Sequence, residues 1–110
     1  DGSAAIVAAS EPAQWVEVPF DATITQATLV ADAVGSLVVD VQVTDYAGWP
    51  ADATDTICGA TKPTLAGAVK AQDFALVGWA TSLVRGRFLR VEVVSASTVK
   101  RATLSLSVEA

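Results

Sequence analysis

Histidine and methionine are absent from this 110-residue chain, and Cys58 is its lone cysteine. Without a second cysteine no disulfide can form within the chain, and without histidine a Cys/His zinc site is nearly excluded. The same absence removes the commonest general base and the usual Ser-His and Cys-His nucleophile pairs. Charge is scarce too, at 17 % of residues against 52 % apolar, and the mean hydropathy is +0.46. No uninterrupted apolar run approaches the roughly 18–20 residues that span a bilayer. The apolar excess is therefore expected inside the fold or in contacts between copies, and an oligomer is favoured. No signal peptide or lipidation motif is visible. The start at Asp1 rather than Met leads us to expect a processed or excised piece.

Charge is unevenly placed as well as sparse. Residues 1–61 carry nine acidic side chains and no Lys or Arg, whereas all seven basic residues lie in 62–110. One reading is that N-terminal and C-terminal strands interleave, so that opposite charges meet across a sheet. The other is an acidic surface on one subunit facing a basic one on the next, with Arg85, Arg87, Arg90, Lys100 and Arg101 as the basic side. A net charge of −5 argues against nucleic acid or an anionic membrane as the main partner.

What the chain does have is alternation. Residues 87–94 and 99–108 alternate apolar and polar side chains about Ser95-Ala96-Ser97-Thr98, which reads as a terminal β-hairpin. Leu89, Val91, Val93, Ala102, Leu104, Leu106 and Val108 would share its buried face. Residues 3–9 can form a first strand, and 1–13 as a whole a strand or an extended arm. Residues 14–20 suit a second strand, with Val16, Val18 and Phe20 facing one way and Pro19 at an edge or strand end. Residues 23–32 read as a third strand, a turn follows at 33–36, and 37–44 is the clearest central strand, with Leu37, Val39, Val41 and Val43 on one face. Residues 64–72 suit a short helical turn or an irregular stretch, and Phe74–Trp79 a strand. The expected fold is one all-β domain over 1–110, an antiparallel β-sandwich or jelly-roll-like array of about seven or eight short strands.

Between Asp45 and about Pro63 lies a long irregular segment, and loops of that length in compact domains are often functional. It is the candidate recognition or interface loop: Tyr46 and Trp49 could stack on a sugar ring while Asp45, Asp52 and Asp55 accept hydroxyl hydrogen bonds. The alternative is that both aromatics fold back as a lid or meet another subunit. The same three carboxylates lack the alternating oxygen pattern of a calcium loop, so no metal and no cofactor is expected. Asp52 and Asp55 as a hydrolase pair lack supporting groups. Cys58, with no histidine to activate it, reads as a small buried apolar residue. Trp79 reads as a core anchor whose indole N–H reaches a carbonyl.

Several short matches run in order along the chain: Asp1-Gly2, Val18-Pro19-Phe20, Gly35-Ser36, Val39-Asp40-Val41, Tyr46, Pro50, Lys62-Pro63-Thr64-Leu65, Gln72-Asp73, Gly78-Trp79, Ser95-Ala96-Ser97-Thr98 and Arg101. In these the sequence resembles a β-sandwich domain of tailed-bacteriophage virion surface proteins, over nearly its whole length. It departs at Arg85-Gly86-Arg87, where relatives often carry an uncharged or acidic Gly turn. The resemblance implies a non-enzymatic module on the exterior of the virion. Three roles follow: a tail-fibre or receptor-binding adhesion domain, a capsid decoration (cement) protein, and, remotely, a glycan-degrading domain. Its implied partners are further copies of itself, with a trimer favoured, other virion proteins and a host-surface glycan.

Overall fold

Strand β3, Ala22–Thr44, runs for 23 residues and organises everything else. A computed structural model describes residues 3–7, 13–99 and 101–110. Along these, β1 (Ser3–Val7), β2 (Ala13–Glu17), β3, β4 (Thr64–Asp73), β5 (Ser82–Leu83), β6 (Phe88–Ser97) and β7 (Arg101–Glu109) form an antiparallel array in the order β1-β7-β3-β6-β2, with β4 and β5 also on β3.

The expected turn at 33–36 is not a reversal. Strand pairing continues through it, Gly35 opposite Ala68 and Ser36 opposite Ser97, with register shifts on either side of Gly35. These irregularities bend the strand rather than end it. Gly35 is needed because a Cβ there would stand 2.6 Å from the Ser97 carbonyl oxygen. One bent strand thus serves two layers. Its first half pairs with β7 and β5, its second half with β6, and β4 follows both.

This arrangement corrects the terminal hairpin. Strands β6 and β7 do not pair with each other; each pairs with a different half of β3. Alternation fixes which face of a strand is buried but not its neighbour, so the inward residues were legible and the pairing was not. Leu89, Val91, Ala102, Leu104 and Leu106 are buried, while Val108 is 36 % exposed. The central strand also differs from expectation on its polar side. Leu37, Val39 and Val41 face the core, yet Asp40, Gln42 and Thr44 are buried as well.

Three further segments depart from the sequence reading. Residues 64–72 are strand β4, since pairing with β3 overrides the helical tolerance of an Ala-rich stretch. Phe74–Trp79 is a turn: Asp73 Oδ1 accepts from the Ala75 and Leu76 amides at 3.0 Å, and Gly78 takes a φ of +80°. Strand β2 stops at Glu17, leaving Val18 buried but Val16 and Phe20 about half exposed.

Apolar side chains from both halves of β3 meet in one core. Ile24, Ala27 and Leu29 with Leu104 and Leu106 come from one layer, and Leu37, Val39 and Val41 with Leu89 and Val91 from the other. The architecture is an antiparallel β-sandwich. Each fully buried Leu or Val contributes about 1.5–3 kcal/mol through removal from water, which offsets the entropy of ordering the strands. Trp79 packs against this core, and its Nε1 donates to the Thr61 carbonyl at 2.9 Å, as expected of an anchor.

Candidate functional site

The buried polar side of β3 leads to the site. In register across the second layer, Asp40 lies opposite Glu92, and Gln42 opposite Arg90, which in turn faces Trp15 of β2. Residues opposite one another share a face, so these side chains line the side of the layer turned away from the core. The loop after β3 covers part of it. Ile57 N donates to the Val41 carbonyl at 2.8 Å, which holds the loop along the strand.

A continuous set of hydrogen bonds joins these groups. Thr56 Oγ1 donates to Asp40 Oδ1, and Gln42 Nε2 donates to Asp40 Oδ2 and Glu92 Oε1, each at 3.0 Å. Arg90 Nη1 donates to Gln42 Oε1 at 2.8 Å, and Arg90 Nη2 sits 3.2 Å from Glu92 Oε2. Burying Asp40 and Gln42 is tolerable because each is hydrogen-bonded.

Aromatic rings gather beside this network. Trp15 and Trp49 meet edge to face with centroids 5.9 Å apart, Trp49 lies 5.4 Å from Phe88, and Phe88 lies 6.4 Å from Tyr46. Tyr46 is 83 % exposed and Trp15 58 %, while Trp49 between them is 38 % exposed. In the sequence Trp15 stands only as one residue of the strand 14–20, and Phe88 as one of the strand 87–94. Nothing in the linear pattern joins them to Trp49; the register of β2 on β6 does so.

The carboxylates of the candidate loop hold the loop's own backbone. Asp45 Oδ1 accepts from Gly48 N at 2.7 Å, closing the turn that presents Tyr46 and Trp49. Asp52 caps the single 3-10 turn Ala53–Asp55: it accepts from the Thr54 amide and hydroxyl, while Asp55 Oδ2 accepts from the Asp52 amide. The Thr54 hydroxyl and amide hold the Asp52 carboxyl below the usual carboxylate range, with the charge of Arg90 acting in the same direction. All three carboxylates thus shape the loop itself. Among the described residues no three Asp, Glu or Cys side chains are grouped to hold a metal ion.

The basic residues are dispersed. Arg85 and Arg87 flank Gly86 on the turn between β5 and β6, where the Arg85 amide donates to Asp21 Oδ1 at 2.8 Å. Arg101 begins β7, its amide donating to Asp32 Oδ1 at 3.1 Å, and Arg90 belongs to the polar network. Lys100 lies outside the described residues, as do residues 1–2 and 8–12 of the expected arm. Asp21 and Asp32 of the first half thus each accept from a backbone amide of the second half.

Cys58 is fully buried, and desolvation pushes its thiol from 9.0 up to about 11. Unfolding releases the thiol to ionise at the lower value. Its stabilising contribution is whole below about pH 9 and is lost towards pH 11, at a slope of up to about 1.4 kcal/mol per pH unit. Equilibrium unfolding of the wild type and of Cys58→Ala across that window is expected to converge as pH rises. Parallel curves would show that burial of the thiol has no such effect.

No family model matches the chain, and no curated protein matches it. Among solved structures it is similar to one described as "CBM4 structure and function", at 14 % identity and a TM-score of 0.41, covering 97 % of this chain and 81 % of that one.

Proposed function

We propose that this domain is a non-enzymatic adhesion module of a bacteriophage virion exterior, of the tail-fibre kind, which holds a host-surface glycan on its Trp15–Trp49 face. The glycan part rests on one observation: four aromatic rings converge beside a fixed Arg–Glu–Gln network, and two of them are more than half exposed. Large apolar side chains exposed together mark contact surfaces. The C–H faces of a sugar ring pack on such rings, while Arg90 and Glu92 offer donors and acceptors to its hydroxyls. The virion part rests on the sequence resemblance. Association of several copies, as in a fibre, would raise weak single-site binding through avidity.

Capsid decoration is the second reading, and it needs an N-terminal arm that reaches a neighbour. Residues 3–7 already pair with β7 of their own chain, which favours adhesion over that reading. The experiment is a double substitution, Trp15→Ala with Tyr46→Ala, assayed for binding to host cells. Loss of aromatic anchors at a contact centre costs about 2 kcal/mol or more, which is about thirtyfold in affinity. The melting temperature should change little, because both rings are mostly in solvent. Unaltered cell binding would remove the adhesion role from this face.

A further inference from the structure

We infer that the glycan held on this face is uncharged. The inference rests on the glycan-adhesion reading above and concerns the class of sugar. Its ground is the charge around the rings. From β6 come Arg90 and Glu92, from β3 Asp40, and from β2 Glu17, which lies opposite Phe88 in register. Asp45, Asp52 and Asp55 add negative charge at the loop. Arg90 is the one cation in that set, and its guanidinium is already engaged by Gln42 Oε1 and Glu92 Oε2. The other arginines near this end, Arg85 and Arg87, belong to the turn beside Val18.

Anionic sugars are bound by cations whose donors are free, and most tightly by an arginine fork. Here a uronate, sialate, sulfate or phosphate would enter among carboxylates, where the charge of Arg90 is already offset by Glu92, and like charges brought together suppress a wrong partner. An uncharged sugar meets no such barrier. Its hydroxyls can donate to Glu92 and accept from the remaining N–H groups of Arg90, and its ring packs on Trp15 or Trp49. The carboxylates thereby act as a charge filter around an aromatic platform.

The test presents the purified 110-residue chain with neutral polysaccharides (β-glucan, galactan, mannan) and with anionic ones (polygalacturonate, polysialic acid, dextran sulfate, teichoic acid). Calorimetric titration of the binders follows. Binding of a neutral member is expected, at least about tenfold weaker in Trp15→Ala. Its affinity should change less than about twofold between 0.1 and 1 M salt, although the screening length falls from about 10 to 3 Å. Binding of an anionic member, lost in Trp15→Ala and falling steeply with salt, would overturn the charge filter while leaving glycan adhesion standing. Failure of both sets, with cell binding unaffected by the Trp15/Tyr46 double substitution, would overturn the adhesion reading and this inference together.

Discussion

Leu37→Ala is expected to lower the unfolding free energy by about 3–5 kcal/mol, at the upper end of what buried Leu truncations cost. Leu37 is 1 % exposed and stands just past the bend of β3, opposite Leu65 of β4 on one side and Ala96 of β6 on the other. Leu65 is equally buried. The bent β3–β4 ribbon is held by pairing on both sides here, so the backbone has little room to collapse into the space left. The melting temperature should drop by roughly 10–20 °C, at about 4 °C per kcal/mol for a domain of this size. Val34 provides the contrast, because it lies on the same bend but is 61 % exposed. Val34→Ala should stay within about 0.5 kcal/mol of wild type. Similar losses in both variants would mean that the bend, and not the buried row, limits stability.

Asp40→Ala should cost about 2–4 kcal/mol and, on the adhesion proposal, also weaken glycan binding, because two donors lose their acceptor at once. Thr56 Oγ1 and Gln42 Nε2 both give hydrogen bonds to the Asp40 carboxylate, which is 2 % exposed. Thr56 is where the loop bridges to Gln42, so its release loosens the segment that carries Trp49. Gln42 retains Glu92 and Arg90, and the network there should survive in part. Asp40→Asn keeps one acceptor oxygen and should lose less than half as much stability as the alanine variant. Amide exchange at Ile57 and Cys58 gives a local reading, and faster exchange there in Asp40→Ala than in Asp40→Asn is the expected result. Equal protection in both would mean that the loop is held by its backbone bonds alone. Together with the Cys58 pH window and the Trp15/Tyr46 substitution, these variants separate what maintains the fold from what contacts a ligand.

Much of the fold was legible residue by residue. Alternation alone identified Leu37, Val39, Val41, Leu89, Val91, Leu104 and Leu106 as inward-facing, and each is buried or part of the core. Burial of Cys58 followed from its chemistry, and the indole bond of Trp79 from the need of an anchoring ring's N–H for an acceptor. The failures share a cause. Gly35-Ser36 carries the local signature of a turn, and a bulged, bent strand uses the same glycine for close approach to Ser97. Phe74–Trp79 has the composition of a strand, yet the Asp73 side chain and Gly78 turn it. A local pattern constrains local geometry, and these segments were decided by what lies across from them.

The candidate site divides along the same line. Tyr46, Trp49 and the three loop carboxylates could be chosen from the sequence because loop position and residue type are local properties. The spacing-of-two pairs Asp40/Gln42 and Arg90/Glu92 were visible as polar sides of strands, and nothing in the chain order announced that they would oppose each other. The sequence by itself determined an all-β chain with a single core and no histidine- or disulfide-based chemistry, because periodicity and composition act within a few residues. Only the tertiary structure decided that β6 and β7 part to opposite halves of β3, and that β2 carries Trp15 to Trp49. Those outcomes depend on register between strands distant in sequence, which is set by the whole set of buried rows competing at once.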